Sequence, residues 1–187
     1  DINGLAWHWT DLLLNIGVDS FVTQPNPHRG APFIENQRIF NWRTPSGADL
    51  FTLHGWHYSV GVVSLFFGDN DPDHTQARLD VLLAKLEARK QYPYSKALLA
   101  VTNQASVDNG YATKRMPEFV ENWNAANRFP KLRLVTLAQA VTAIKEDVAQ
   151  SDIPLPVHRG DWSDYWVDGV GSTAYETAIN RTAARLL

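Results

Sequence analysis

Cysteine is absent from this 187-residue sequence, and methionine occurs once, at Met116. The first absence excludes disulfides, thiolate metal sites and cysteine nucleophiles, while leaving an exported protein as admissible as an internal one. Long hydrophobic runs are also missing, so no segment is expected to cross a bilayer, and the pattern of a secretory leader is not found. Charge of one sign is scarce too: the net charge is −3 and the basic residues are dispersed. Neither a nucleic-acid footprint nor a polybasic membrane patch can be built from them, and no nucleic acid or membrane partner is expected. Internal repeats, low-complexity tracts and heptad runs are lacking as well. The sequence starts at Asp1 rather than at a methionine, so a piece of a longer polypeptide is expected, with the rest of that polypeptide as a partner.

What is present is an apolar fraction of 44%, enough for one sizeable core, and a supply of seven Trp, six Tyr and eight Phe. Several of these aromatics sit among polar residues in loop-like segments, a mixture that favours carbohydrate. The densest case is Pro156 to Gly169, which carries His158, Asp161, Asp164 and Asp168 together with Trp162, Tyr165 and Trp166. Aromatic faces bind apolar sugar faces, carboxylates hold hydroxyls or a cation, and a histidine beside them is a metal ligand by chemistry. That segment reads as an active-site rim.

Hydrophobic periodicity and turn chemistry predict the elements. Leu5 to Ile16 reads as a helix stopped by Gly17, and Ser20 to Gln24 as a short strand. The proline-rich stretch Gln24 to Pro32 then forms a loop at the strand end. Arg38 to Arg43 and Asp49 to His54 read as a hairpin around Thr44-Pro45-Ser46-Gly47. Asp71 caps a helix opened by Pro72, with Leu79, Leu82, Leu83 and Leu86 on one face. Ala97 to Thr102 and Leu132 to Thr136 read as buried strands. Between them lies a helix from about Pro117 with Phe119, Val120 and Trp123 inward. Thr136 with Gln139 makes a capping box for a helix to about Ala149, and Thr173 with Glu176 a second for the last helix. Strands alternating with helices predict parallel βα units.

In order and spacing, five segments resemble bacterial relatives of the glycoside hydrolase family 38 α-mannosidases. They are Asp1-Ile2-Asn3-Gly4-Leu5-Ala6-Trp7, Asn26-Pro27-His28-Arg29-Gly30, Phe40-Asn41-Trp42-Arg43-Thr44-Pro45-Ser46-Gly47, His54-Gly55-Trp56-His57-Tyr58 and Gly160-Asp161-Trp162-Ser163-Asp164-Tyr165-Trp166. The resemblance implies an α/β fold: a partial (β/α) barrel of the glycoside hydrolase and deacetylase type over residues 1–155. Residues 156–187 would follow as an active-site loop and the first helix of a helical bundle. It also implies a divalent cation, usually zinc, and a carbohydrate substrate hydrolysed with retention.

Carried over residue by residue, Asp1 in its Asp-x-x-Gly setting matches the nucleophile, which also ligates the metal. Asp108, in the loop after the Ala97 to Thr102 run, is the acid/base candidate; an Asp-Asn-Gly turn is its ordinary alternative. His158 corresponds to the C-terminal metal-ligating histidine, although the family's His-His-Asp stretch stands here as His158-Arg159-Gly160-Asp161. The His-x-Asp pair of the family's first strand has no counterpart in this chain. Trp42, His57, Tyr58, Asp161, Trp162 and Trp166 are the candidates for sugar contact, each aromatic having core packing as its alternative. His54 and His57, three apart, are weak metal spacing. A non-catalytic carbohydrate-binding relic and a metal-dependent polysaccharide deacetylase are the competing functions.

Overall fold

Period-two alternation builds the centre of the molecule. The structure, a computed structural model, describes residues 4–24, 34–69, 71–90, 92–101, 113–162 and 173–186. Strands β2 (Arg38–Arg43) and β3 (Asp49–His54) pair antiparallel from Arg38 opposite His54 to Arg43 opposite Asp49. Their turn is closed by the Thr44 N–H donating to the Ala48 carbonyl at 2.8 Å, with Gly47 at φ +93 where a side chain would be strained. Strand β1 (Ser20–Thr23) lies parallel to β3, and the short β4 (Val157–His158) lies parallel to β2. The order is β1-β3-β2-β4. Helices α1 (Trp9–Asn15), α2 (Pro72–Arg89), α3 (Met116–Ala125), α4 (Leu137–Gln150) and α5 (Ala174–Leu186) complete the described elements, with one π-helical turn at Val60–Ser64.

Successive side chains of a strand point to opposite faces, so the sheet sorts its residues into two cores. One face gathers Phe21, Phe40 and Trp42 with Leu5, Trp7, Ile34 and Trp162. The other gathers Val22, Ile39, Phe51 and Leu53 under Leu86 of α2, Ile144 and Val148 of α4, and Tyr92. A third cluster joins Val62, Leu65 and Phe67 to Leu79 of α2 and to Met116, Phe119 and Trp123 of α3. Helix α2 therefore serves two cores along its length.

Local chemistry accounts for the helix starts. The Asp71 carboxylate accepts from the N–H groups of Asp73 and His74 at 3.1 and 3.0 Å, and Pro72 fills the first position, where a missing N–H costs nothing. In α4 the reciprocal box of Thr136 and Gln139 is complete.

Three expectations are corrected. Helix α1 begins at Trp9 rather than Leu5, because Leu5 is held extended in a bridge to Trp162. Residues 97–101 pack Leu98, Leu99 and Val101 into two cores but join no ladder among the described residues; the Ala100 carbonyl accepts from the Gly61 N–H. Residues 132–136 are likewise outside any strand, since the side chain of Asn124 takes both polar groups of Leu132. The result is a mixed sheet with one antiparallel pair rather than a run of parallel βα units. Strand β4 brings residues 157–158 into the same sheet, and none of the described residues of α5 is buried.

Candidate functional site

Distant parts of the chain meet on the aromatic face of the sheet. Leu5 and Trp162 exchange both main-chain hydrogen bonds, at 3.0 and 2.9 Å. The Trp7 N–H donates to Oδ1 of Asp161 at 2.7 Å, and the Trp42 indole N–H donates to the Gly160 carbonyl at 3.2 Å. The Trp7 indole in turn donates to the Arg43 carbonyl at 2.7 Å. These bonds clamp the segment that follows Asp-x-x-Gly against the segment that contains His158 and Asp161.

Trp42 and Trp162, expected to offer ring faces to a sugar, are corrected to packing residues. Trp42 has no exposed surface and Trp162 retains 4%. Their rings stack at 5.1 Å with an interplanar angle of 24°, and Phe40 packs on Trp162 at 6.0 Å. Faces covered in this way hold the clamp together instead of reading a ligand. Asp161 is exposed, with one carboxylate oxygen engaged by Trp7.

His57 and Tyr58 are half-buried just beyond the end of β3, with ring centroids 4.0 Å apart. Nδ1 of His57 accepts from the Ser59 N–H at 3.2 Å and lies 2.7 Å from the Ser59 hydroxyl. A main-chain N–H only donates, so the neutral His57 ring carries its proton on Nε2. His158 sits on β4, half-buried, with its ring edge-on to Phe40 at 4.8 Å. Burial, then the nearby Arg38 guanidinium, push its pKa down. Asp1, Asp108 and Trp166 lie outside the described residues.

His54, which the sequence offered only as weak metal spacing with His57, is the buried histidine of this face. His54 is fully buried at the C-terminal end of β3. It stands edge-on to Trp162 at 5.5 Å, and its Nδ1 lies 3.0 Å from the Glu35 carbonyl. A carbonyl only accepts, so the proton is on Nδ1 and Nε2 keeps a lone pair. Burial holds its pKa below the ordinary histidine value, against the opposing pull of the Glu35 bond. The available signal was alternation: Leu50, Thr52 and His54 share one side of β3, and the last is polar where the face is closed.

The fit of a divalent cation rests on these donors. The imidazoles of His54 and His158 have depressed pKa values and are neutral near pH 7, the form that ligates metals. His54 in addition presents a buried nitrogen without a protein partner. Among the described residues no three His, Asp or Glu side chains gather at one point, so any complete ligand set includes residues beyond them. No helix among the described residues is long and apolar enough to cross a membrane.

The family model for the glycosyl hydrolases family 38 N-terminal domain matches residues 1–163, from Asp-x-x-Gly through Trp162. No curated protein and no solved structure matches the chain.

Proposed function

The chain belongs to glycosyl hydrolase family 38, as its N-terminal domain, and from that premise we propose that it serves a retaining, divalent-cation-dependent hydrolysis of α-mannosides within a longer polypeptide. In this reading residues 1–155 contribute part of a (β/α) barrel, and the residues from 156 lead into a helical bundle. The observation that carries it is the double main-chain bond between Leu5 and Trp162. That bond brings together the two motif-bearing segments that a family 38 site needs, more than 150 residues apart in sequence.

Asp1 is the nucleophile: its carboxylate attacks the anomeric carbon while Asp108 protonates the departing glycosidic oxygen. Water then attacks the glycosyl ester, with Asp108 taking its proton, and the sugar leaves with its original configuration. Retention by this double displacement needs the two carboxyl groups about 5–5.5 Å apart. Asp1 and His158 would hold the divalent cation, which when bound would supply Lewis-acid chemistry. His57, whose Nδ1 is engaged by Ser59, is one candidate sugar contact. Tyr58, Asp161 and Trp166 are the further sugar contacts. Trp42 and Trp162 act from the interior by holding the segment on which Asp161 and His158 ride.

The test is hydrolysis of an aryl α-mannoside by the longer protein and by its Asp1→Asn and Asp108→Asn variants. We expect Asp1→Asn to abolish turnover and Asp108→Asn to lower kcat by about 10²–10⁴-fold, the usual worth of a general acid/base. Turnover unchanged in both variants contradicts the assignment. A longer protein that releases acetate from acetylated polysaccharide and leaves mannosides intact favours the deacetylase.

A further inference from the structure

We propose that Ser59 is a positioning residue for sugar recognition, holding the His57 ring in place for the glycoside. The inference rests on the proposed function for the presence of a sugar at His57, and on geometry for the role of Ser59. Two donors of Ser59 converge on one atom: its N–H reaches Nδ1 of His57 at 3.2 Å and its hydroxyl at 2.7 Å. The N–H can only donate, so Nδ1 carries a lone pair and the hydroxyl donates to it as well. The ring is thereby held in one tautomer and one orientation, and Tyr58 leans on it with centroids 4.0 Å apart.

Ser59 is anchored in its turn. It is 3% exposed, and its carbonyl accepts from the N–H groups of Val62 and Val63 at 3.1 and 2.9 Å, at the opening of the π-helical turn Val60–Ser64. Such turns are rare and concentrate at functional sites. This one is seated on the 97–101 segment by the Gly61 N–H, which donates to the Ala100 carbonyl at 2.9 Å. Glycine is what permits the approach: a Cβ at position 61 would stand 2.5 Å from Cγ1 of Val101 and 2.9 Å from the Ala100 oxygen. Beyond it Val62, Leu65 and Phe67 enter the core with α2 and α3. The half-buried His57 and Tyr58 therefore stand on a rigid base. A side chain held in its binding rotamer beforehand loses less entropy when a ligand arrives. The turn is built from the main chain of Ser59, whereas the hydroxyl is directed at the ring, so the two roles can be separated by mutation.

The experiment is a double-mutant cycle on aryl α-mannoside hydrolysis by the longer protein, with Ser59→Ala, His57→Gln and the two combined. Ser59→Ala keeps every main-chain bond of the turn, and urea unfolding checks that the variant is folded. We expect it to raise KM about two- to ten-fold, the worth of one hydrogen bond, with kcat little changed, as for a contact made equally in ground and transition states. His57→Gln should raise KM at least as much. Adding Ser59→Ala to His57→Gln should change KM no further, because Ser59 acts through that ring alone. Equal effects of Ser59→Ala in both backgrounds give Ser59 a role of its own and overturn the inference. An unchanged KM in Ser59→Ala, or in His57→Gln, overturns it too, while mannoside turnover by the parent leaves the proposed function standing. A parent protein that turns over no α-mannoside removes the proposed function and the inference together.

Discussion

Trp42 carries more of the molecule's stability than its neighbours in sequence suggest. It is flanked by Asn41 and Arg43, yet it has no exposed surface, stacks on Trp162 and donates to Gly160. Trp42→Ala should cost about 3–5 kcal/mol, the range for removing a large buried aromatic, and urea unfolding reads it directly. A loss under about 1 kcal/mol would place the ring outside the core. His54 makes a second residue-scale prediction. Its folded-state pKa lies below the unfolded one, so below about pH 6.5 the unfolded chain binds protons that the folded chain refuses. Stability should therefore be level above that pH and fall as the pH drops beneath it, by at most about 1.4 kcal/mol per unit for this group. His158 acts in the same direction. Urea midpoints from pH 8 to pH 5 check the sign, and a His54→Gln chain should show a shallower decline.

Elements were legible where their chemistry is local. The hairpin of β2 and β3 was readable because alternation and the Pro-Ser-Gly turn fall within a few residues, and its bounds match the structure. The starts of α2 and α4 were readable because Asp71, Pro72, Thr136 and Gln139 act on their own backbone. Thr136→Ala should destabilise the protein by about 1 kcal/mol, measured as a lower unfolding midpoint, because the Gln139 N–H of α4 loses its acceptor. Residues 97–101 and 132–136 were illegible because a strand exists only when a ladder partner is in place, and that partner is not a local property. The same non-local character hid the interior position of Trp42 and Trp162. Their burial follows from cross-strand register and from Leu5 closing on them from the far end of the chain. His57 and Tyr58 lie half-buried just beyond the end of β3.

For the whole molecule, the clamp between Leu5–Trp7 and Gly160–Trp162 unites the sheet with both motif-bearing segments. The Asp161 carboxylate is its charged element, bonded to the Trp7 N–H. Asp161→Ala should loosen that closure by about 1.5–3 kcal/mol, the worth of a hydrogen bond to a charged group, less whatever solvent screening removes at this exposed position. Hydrogen exchange at the Trp7 amide is the sensitive readout, and it should speed up while amides of α3 hold. A covalent mechanism centred on Asp1 is open to trapping. A fluorinated mannosyl fluoride, which glycosylates the nucleophile with loss of fluoride and leaves a slowly hydrolysed glycosyl enzyme, would be incubated with the longer protein, and the digested peptides weighed. One mannosyl adduct is expected, on the peptide that contains Asp1, lost in Asp1→Asn. Complete turnover of mannosides with no adduct, or an adduct on another carboxylate, would contradict it.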